Sequence, residues 1–167
     1  MMTTSQSFRL DPATEADVPV VLRLIKGLAE YERLLHVVTA TEDGLRESLF
    51  REPRAADAVI ARVDGEAVGY ALWFPIFSTF LGQRGLYLED LFVVPQARGR
   101  GIGRALLAHV ATQAVARGCG RVEWSVLDWN EPAIRFYQSL GALSVNDWTL
   151  YRLAGNPLRD LAATAGV

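Results

Sequence analysis

The succession of hydrophobic periods along the chain predicts an α/β domain with the order β-α-α-β-β-β-α-β-α-β. Three observations carry that reading. Apolar residues recur at helical spacing in the first third, the period shortens to two near Ala56, and a Gly/Arg-rich loop then separates a strand from another run of helical spacing. With 167 residues, 50% of them hydrophobic and 22% charged, the chain has the size of one domain and can bury its own core. No repeat, low-complexity stretch or linker divides it, so residues 8–167 are expected to form a single domain behind a disordered segment over 1–7.

Residues 7–10 read as a short strand broken by Asp11-Pro12, and Thr14 with Asp17 has the spacing of a helix N-cap and its reciprocal partner. Val18, Val21, Leu22, Ile25, Leu28 and Ala29 follow the helical period and predict a first helix running to about Tyr31. A second helix begins near Thr41, with Glu42 and Asp43 in its first turn, and turns Leu45 and Leu49 inward before Pro53. Residues 58–63 and 66–74 predict two strands joined by Asp64-Gly65, a dipeptide that supplies the positive φ angles of a tight hairpin. Residues 85–94 are an aromatic and β-branched strand stopped by Pro95, which cannot donate to a ladder. A helix over 101–116 ends at Gly118, a strand follows over 121–127, and Pro132 opens a helix that ends at Gly141. A last strand near 148–153 precedes a short tail.

Composition excludes several function classes. A single cysteine, Cys119, allows no internal disulfide, and with only His36 and His109 beside it no metal site is expected. No apolar run reaches the ~18–20 residues of a membrane span, and the first residues lack the apolar centre of a signal peptide, so a cytoplasmic protein is expected. A net charge of −2 lacks the basic excess that holds nucleic acid, and it admits cationic small molecules as partners.

The segment Arg98-Gly99-Arg100-Gly101-Ile102-Gly103-Arg104 lies between a strand and the helix that follows it. Glycines let backbone N–H groups approach a ligand, a helix N-terminus adds partial positive charge and arginines add formal charge, which together make an anion-binding loop suited to phosphate. It is not a P-loop, because no Gly-Lys-Ser/Thr follows. Nor is it a dinucleotide fingerprint: counted from Gly99 and Gly101, the final glycine position holds Arg104, and the loop lies past the middle of the chain.

Arg98, Gly101 and Gly103 do satisfy the Arg-x-x-Gly-x-Gly signature that opens the main helix of the GCN5-related N-acetyltransferases. Three further stretches resemble the diamine (spermidine/spermine) and thialysine N-acetyltransferase branch of that superfamily. They are Tyr87-Leu88-Glu89-Asp90-Leu91-Phe92-Val93, the turn Trp129-Asn130-Glu131-Pro132, and Phe136-Tyr137-Gln138-Ser139-Leu140-Gly141-Ala142. The opening helix, from Leu22 to Glu32, resembles it too. The resemblance covers nearly the whole chain and implies a mixed, mostly antiparallel central sheet flanked by helices, acetyl-CoA as cosubstrate and a homodimer. The apolar strand over 70–77 and the strand near Trp148 are the candidate dimer surfaces.

Transfer of acetyl from a thioester to an amine needs a polarised carbonyl, a neutral amine and a proton for the leaving thiolate. The resemblance implies that the pantetheine arm lies along Leu91, Phe92 and Val93, with a backbone N–H near Leu91 or Phe92 polarising the carbonyl. It places the pyrophosphate on the loop formed by Arg98, Gly99, Arg100, Gly101, Ile102, Gly103 and Arg104, and further cosubstrate contacts at Asn130, Pro132 and Ala133. Tyr137 occupies the position of the general acid, and a phenol with a pKa near ~10 is protonated at neutral pH. Glu89 and Asp90 sit on adjacent strand positions and must point to opposite faces, so only one can face the cleft, and the resemblance favours Glu89 as the substrate-facing carboxylate and candidate base. Tyr31, Glu32 and Asp128 complete the candidate amine site. The expected reaction is direct attack by a small-molecule amine, such as a diamine, a polyamine or a lysine-like amino acid, in a ternary complex. Acetylation of a protein lysine or N-terminus, and a non-catalytic acyl-CoA-binding module, are the alternative readings.

Overall fold

A computed structural model describes residues 7–165, so the expectation of a disordered segment over 1–7 lies, Ser7 apart, outside the described residues. The described residues form two compact units that divide between Leu127 and Asp128. In the first, the chain runs β1 (Phe8–Pro12), α1 (Val18–Tyr31), α2 (Glu42–Phe50), β2 (Asp57–Val63), β3 (Glu66–Ser78), β4 (Gln83–Val93), α3 (Ile102–Ala116) and β5 (Val122–Glu123). The five strands lie in the order β1-β2-β3-β4-β5, antiparallel except for the parallel β4–β5 pair. This is the mixed, mostly antiparallel sheet that the resemblance implies.

Local chemistry sets the element ends. Asp17 accepts hydrogen bonds from Thr14 N–H at 2.9 Å and Thr14 Oγ1 at 2.8 Å, forming the capping box ahead of α1. Arg62 of β2 pairs with the same carboxylate and ties the helix start to the sheet. Thr41 caps α2 by accepting from Gly44 N–H at 3.1 Å. Asp64 and Gly65 have φ of 50° and 86°, as the β2–β3 hairpin demands.

One face of the sheet packs under α1 and α2, where Val21, Leu24, Leu49, Ile60, Tyr70, Leu72 and Phe92 form a buried cluster. A Cβ at Gly27 would come within 3.0 Å of the Phe92 ring, so glycine lets α1 sit close on β4. The other face meets α3, whose Ile102, Leu106, Leu107, Val110 and Ala114 are buried. There the Trp73 ring lies edge-on to His109, with centroids 5.6 Å apart.

In the second unit, α4 (Glu131–Ser139) begins at an Asn130 cap and carries an Arg135–Glu131 ion pair of 2.9 Å one turn apart. α5 (Gly155–Ala163) closes the described chain.

Three expectations are corrected by the structure. The strand expected over 148–153 is absent, and α5 stands where a short tail was expected. Trp148, Leu150, Tyr151 and Leu153 are apolar as strand residues often are, yet they are exposed and no ladder takes them up, because a strand exists only where a partner's N–H and C=O groups meet it. The strand expected over 121–127 shortens to Val122–Glu123, since β4 pairs with it only at Leu86 and Tyr87. β3 and β4 extend to Ser78 and back to Gln83, a longer hairpin than the apolar pattern marks.

Candidate active site

The strand β4 carries an irregularity at its centre. Leu72 pairs with Asp90 and Trp73 with Leu88, so Glu89 is an extra residue in a β-bulge. Cross-strand partners share a face: Leu72 lies in the cluster under α1, whereas Trp73 contacts α3. Leu88 and Asp90, two apart, therefore face opposite sides. Contrary to expectation, Glu89 and Asp90 are not bound to oppose each other, because the bulge breaks the regular alternation of β4.

Asp90 is half-buried, and its Oδ2 accepts a 2.8 Å hydrogen bond from the hydroxyl of Tyr70, which is fully buried on β3. Burial pushes the Asp90 carboxyl up to about 6, with Glu89 and Glu32 adding to the rise against the lowering effect of the Tyr70 bond. Glu32, half-buried just past the end of α1, is raised by burial. The phenol of Tyr70 is held well above its ordinary range by burial and by Asp90. Three carboxylates from two elements thus act on one another here, and Glu89 is the exposed one.

Beyond Tyr87, β4 has no strand neighbour on its β5 side among the described residues. Val94 N–H bonds to Val68 C=O of the β3 side at 2.9 Å, and antiparallel alternation then turns the Leu91 and Val93 polar groups to the open edge. There the Val93 carbonyl accepts a 2.9 Å bond from Arg98 Nε, while the Leu91 N–H faces outward. Phe92 has its N–H on the β3 side and its ring in the core. Past β5, Ser125 Oγ and Tyr87 OH share a 2.7 Å hydrogen bond, and Glu123 pairs with Arg121 at 3.1 Å.

At the end of β4 the chain turns through Gly99 and Gly101, with φ of 75° and 79°. A Cβ at either would meet nothing within 4 Å, so conformation rather than crowding calls for glycine, and the space above the backbone is open. Gly101 caps α3, directing the first N–H groups of Ile102, Gly103 and Arg104 along the helix axis toward the loop. The Ile102 side chain is core, leaving only its backbone for a ligand. The Arg98 guanidinium lies 4.5 Å from the Tyr31 ring centroid and 5.9 Å from that of Phe92. It therefore braces strand, loop and helix, whereas the exposed Arg104 projects from the first turn of α3 and Arg100 is half-buried. Tyr31, Glu32, Glu89, Asp90 and the strand end at Val93 are thus linked to the glycine loop through Arg98 and the carboxylate cluster.

In the second unit, Asn130 is buried and its Oδ1 accepts from Ala133 N–H at 3.4 Å, setting the start of α4 with Pro132 in the first turn. Tyr137 is half-buried toward the end of this helix, its ring 5.3 Å from that of Phe136. Asp128 and Pro132 are exposed.

Other polar residues fall outside this set. His109, its pKa lowered by burial, packs on Trp73, and Cys119 is a half-buried free thiol. A cavity of about 170 Å³ lies beside Trp73 and His109, lined also by Leu49, Phe50, Asp57 and Arg117, and none of Glu32, Glu89 and Asp90 lines it. Among the described residues no group of three or more acidic, histidine or cysteine side chains could hold a metal, and no helix is long and apolar enough to cross a membrane. Sequence reasoning overlooked Tyr70. Its signal was a lone hydroxyl in an apolar strand, a group that must find a partner when buried.

Comparison with known proteins gives this arrangement a context. The pattern of the acetyltransferase (GNAT) family matches residues 25–142. The chain is 38% identical to the thialysine N-epsilon-acetyltransferase of Mus musculus, over 93% of this chain and 98% of that protein. It is 35% identical to the L-ornithine N5-acetyltransferase NATA1 of Arabidopsis thaliana, over 92% and 87%. Among solved structures, an integron cassette protein from the mobile metagenome of V. cholerae superposes with a TM-score of 0.77 at 28% identity, over 93% of this chain and 98% of that one.

Proposed function

This chain belongs to the acetyltransferase (GNAT) family and is an acetyl-CoA-dependent N-acetyltransferase, and from that premise we propose that it acetylates a primary amine of a small cationic molecule. The observation that carries the substrate class is the group of carboxylates, Glu32, Glu89 and Asp90, beside the open edge of β4. Such a group attracts an ammonium, and the thialysine and ornithine specificities in the relatives' names are those of amino acids with a side-chain amine.

The residues present suit acetyl-CoA, which when bound supplies the thioester acetyl group. Leu91, with its outward N–H, and the edge through Phe92 and Val93 would hold the pantetheine arm as a neighbouring strand would, and the Leu91 N–H would polarise the carbonyl. Backbone N–H groups of Gly99, Gly101, Ile102, Gly103 and Arg104 would receive the pyrophosphate, with the Arg104 and Arg100 side chains adding charge. Arg98 supports them by fixing Val93 and Tyr31. Glu89 would meet the amine, with Glu32 and Tyr31 of the same unit; in the second unit the resemblance makes Asp128 a further substrate carboxylate and Tyr137 the acid that would supply the leaving thiolate's proton. Asn130 sets the start of the helix that carries Tyr137, with Pro132 and Ala133 in its first turn. The family match over residues 25–142, which runs across residues 127 and 128, supports reading residues 8–167 as one catalytic domain. We place the enzyme in the cytoplasm as a homodimer that buries Phe77, Phe80 and Leu81, exposed on and beside the β3–β4 hairpin.

The test is an initial-rate study with acetyl-CoA and thialysine or ornithine, each varied against the other. Intersecting double-reciprocal lines are expected for direct attack in a ternary complex. Parallel lines would contradict it, and absence of amine-dependent CoA release with either amine would contradict the substrate class.

A further inference from the structure

Two adjacent acids on β4 are available to take the proton from the incoming ammonium, and the structure distinguishes them. Glu89 is exposed on the bulge and makes no hydrogen bond or ion pair among the described residues. Asp90 is half-buried and anchored: its Oδ2 accepts at 2.8 Å from a tyrosine hydroxyl that is itself wholly inside the core. We infer that Tyr70 is a positioning residue which holds Asp90, and that Asp90 rather than Glu89 accepts the proton from the substrate ammonium, an inference that rests on the acetyl-transfer reading above. In this step one N–H bond of the ammonium breaks, its electron pair stays on nitrogen as the attacking lone pair, and the proton forms an O–H bond with the Asp90 carboxylate. Loss of that proton to water restores the carboxylate after transfer. Glu89 holds the cation.

The electrostatics agree with the geometry. An acceptor for the proton of an amine with pKa near ~10 works better the closer its own pKa lies to the working pH, and Asp90 lies near 6, raised chiefly by burial. The titratable groups acting on it are Tyr70 from β3, Glu89 from β4 and Glu32 from the end of α1. Tyr70, held well above its ordinary range, remains a donor throughout, so the anchor persists whether or not a substrate is bound. A carboxylate fixed by a donor that does not ionise keeps its orientation for proton transfer, which a solvated Glu89 does not.

The experiment compares pH profiles of kcat/KM for wild type, Tyr70→Phe, Asp90→Asn and Glu89→Gln, using acetyl-CoA and whichever of thialysine, ornithine, lysine, putrescine and spermidine wild type turns over fastest. Removing the Tyr70 hydroxyl takes away a bond that stabilises ionised Asp90, so the acid limb moves to higher pH and kcat falls about tenfold. Glu89→Gln removes a neighbouring negative charge, so the limb moves to lower pH and KM for the amine rises. Asp90→Asn abolishes the limb and lowers kcat about 100-fold or more. A ¹³C NMR titration of the Asp90 carboxyl in enzyme without amine reads its midpoint directly, and this midpoint should rise in Tyr70→Phe. Abolition of the limb by Glu89→Gln, with Asp90→Asn merely shifting it, would overturn the assignment of Asp90. A Tyr70→Phe enzyme with reduced kcat but an unmoved limb and midpoint would overturn the positioning role. If no amine is turned over, the proton-transfer step falls with the acetyl-transfer reading, and the NMR midpoint decides separately whether Tyr70 holds Asp90.

Discussion

One phenolic oxygen distinguishes Tyr137 as an acid from Tyr137 as a packing ring beside Phe136. Tyr137→Phe keeps the ring and is expected to lower kcat by about 100-fold or more, with acetyl-CoA affinity measured by calorimetry unchanged. An unchanged kcat would return Tyr137 to the packing role. Asp90 carries the opposite balance, between function and stability. Its carboxyl sits near 6 in the fold against 3.8 for the free group, so the fold disfavours the charged form, and stability is lost as pH rises between those values. Asp90→Asn, which can still accept from Tyr70, should therefore stabilise the protein at pH 8 by on the order of 2 kcal/mol and change little at pH 3.5. Denaturant titrations at the two pH values check this. Arg98 is a bracing residue whose bond to the Val93 carbonyl and contact with Tyr31 go together. Arg98→Leu is expected to raise KM for acetyl-CoA and to destabilise the fold by about 1–2 kcal/mol, read by initial rates and chemical unfolding.

Among the elements, the junction before α1 makes a sharp prediction. Burial pushes the Asp17 carboxyl up, but bonds from Thr14 and the Arg62 pair outweigh it and hold the group below its ordinary value. Its contribution is complete above the unfolded value near 3.8 and is lost as pH falls through the folded one. Asp17→Ala should cost about 0.5–2 kcal/mol at pH 7, with the difference from wild type shrinking below pH 3 in urea titrations. This capping box was legible because Thr14 and Asp17 are three residues apart, and so was the Asp64-Gly65 turn, since both are set by local geometry. The bulge at Glu89 was not legible: it depends on how Leu72 and Trp73 meet β4, and no spacing within one strand encodes its partner's register. Tyr70 was passed over for a related reason, because its partner lies twenty residues away on the next strand. The apolar segment from Trp148 to Leu153 looked like a strand for want of the same information, namely whether an edge was free to receive it. Of the site, the glycine loop and the acidic strand could be read from residue type and order, whereas the bracing role of Arg98 and the anchoring of Asp90 needed the fold.

For the molecule as a whole, the proposed function rests on one mixed sheet whose fourth strand loses its β5 partner where the acids lie and ends in the glycine loop to which we assign the phosphates. Exposure of Phe77, Phe80 and Leu81 on and beside the longest hairpin leads us to expect a dimer mass in sedimentation at micromolar concentration, with Phe80→Asp shifting it to the monomer. A monomer mass for wild type would contradict that arrangement. The central claim, acetyl transfer to a small cationic amine, is tested most directly by incubating the purified protein with acetyl-CoA and an equimolar mixture of thialysine, ornithine, lysine, putrescine, spermidine and a lysine-containing peptide, then identifying products by mass spectrometry. The account predicts a mono-acetylated small amine as the main product. Acetylated peptide with every small amine unmodified would contradict it.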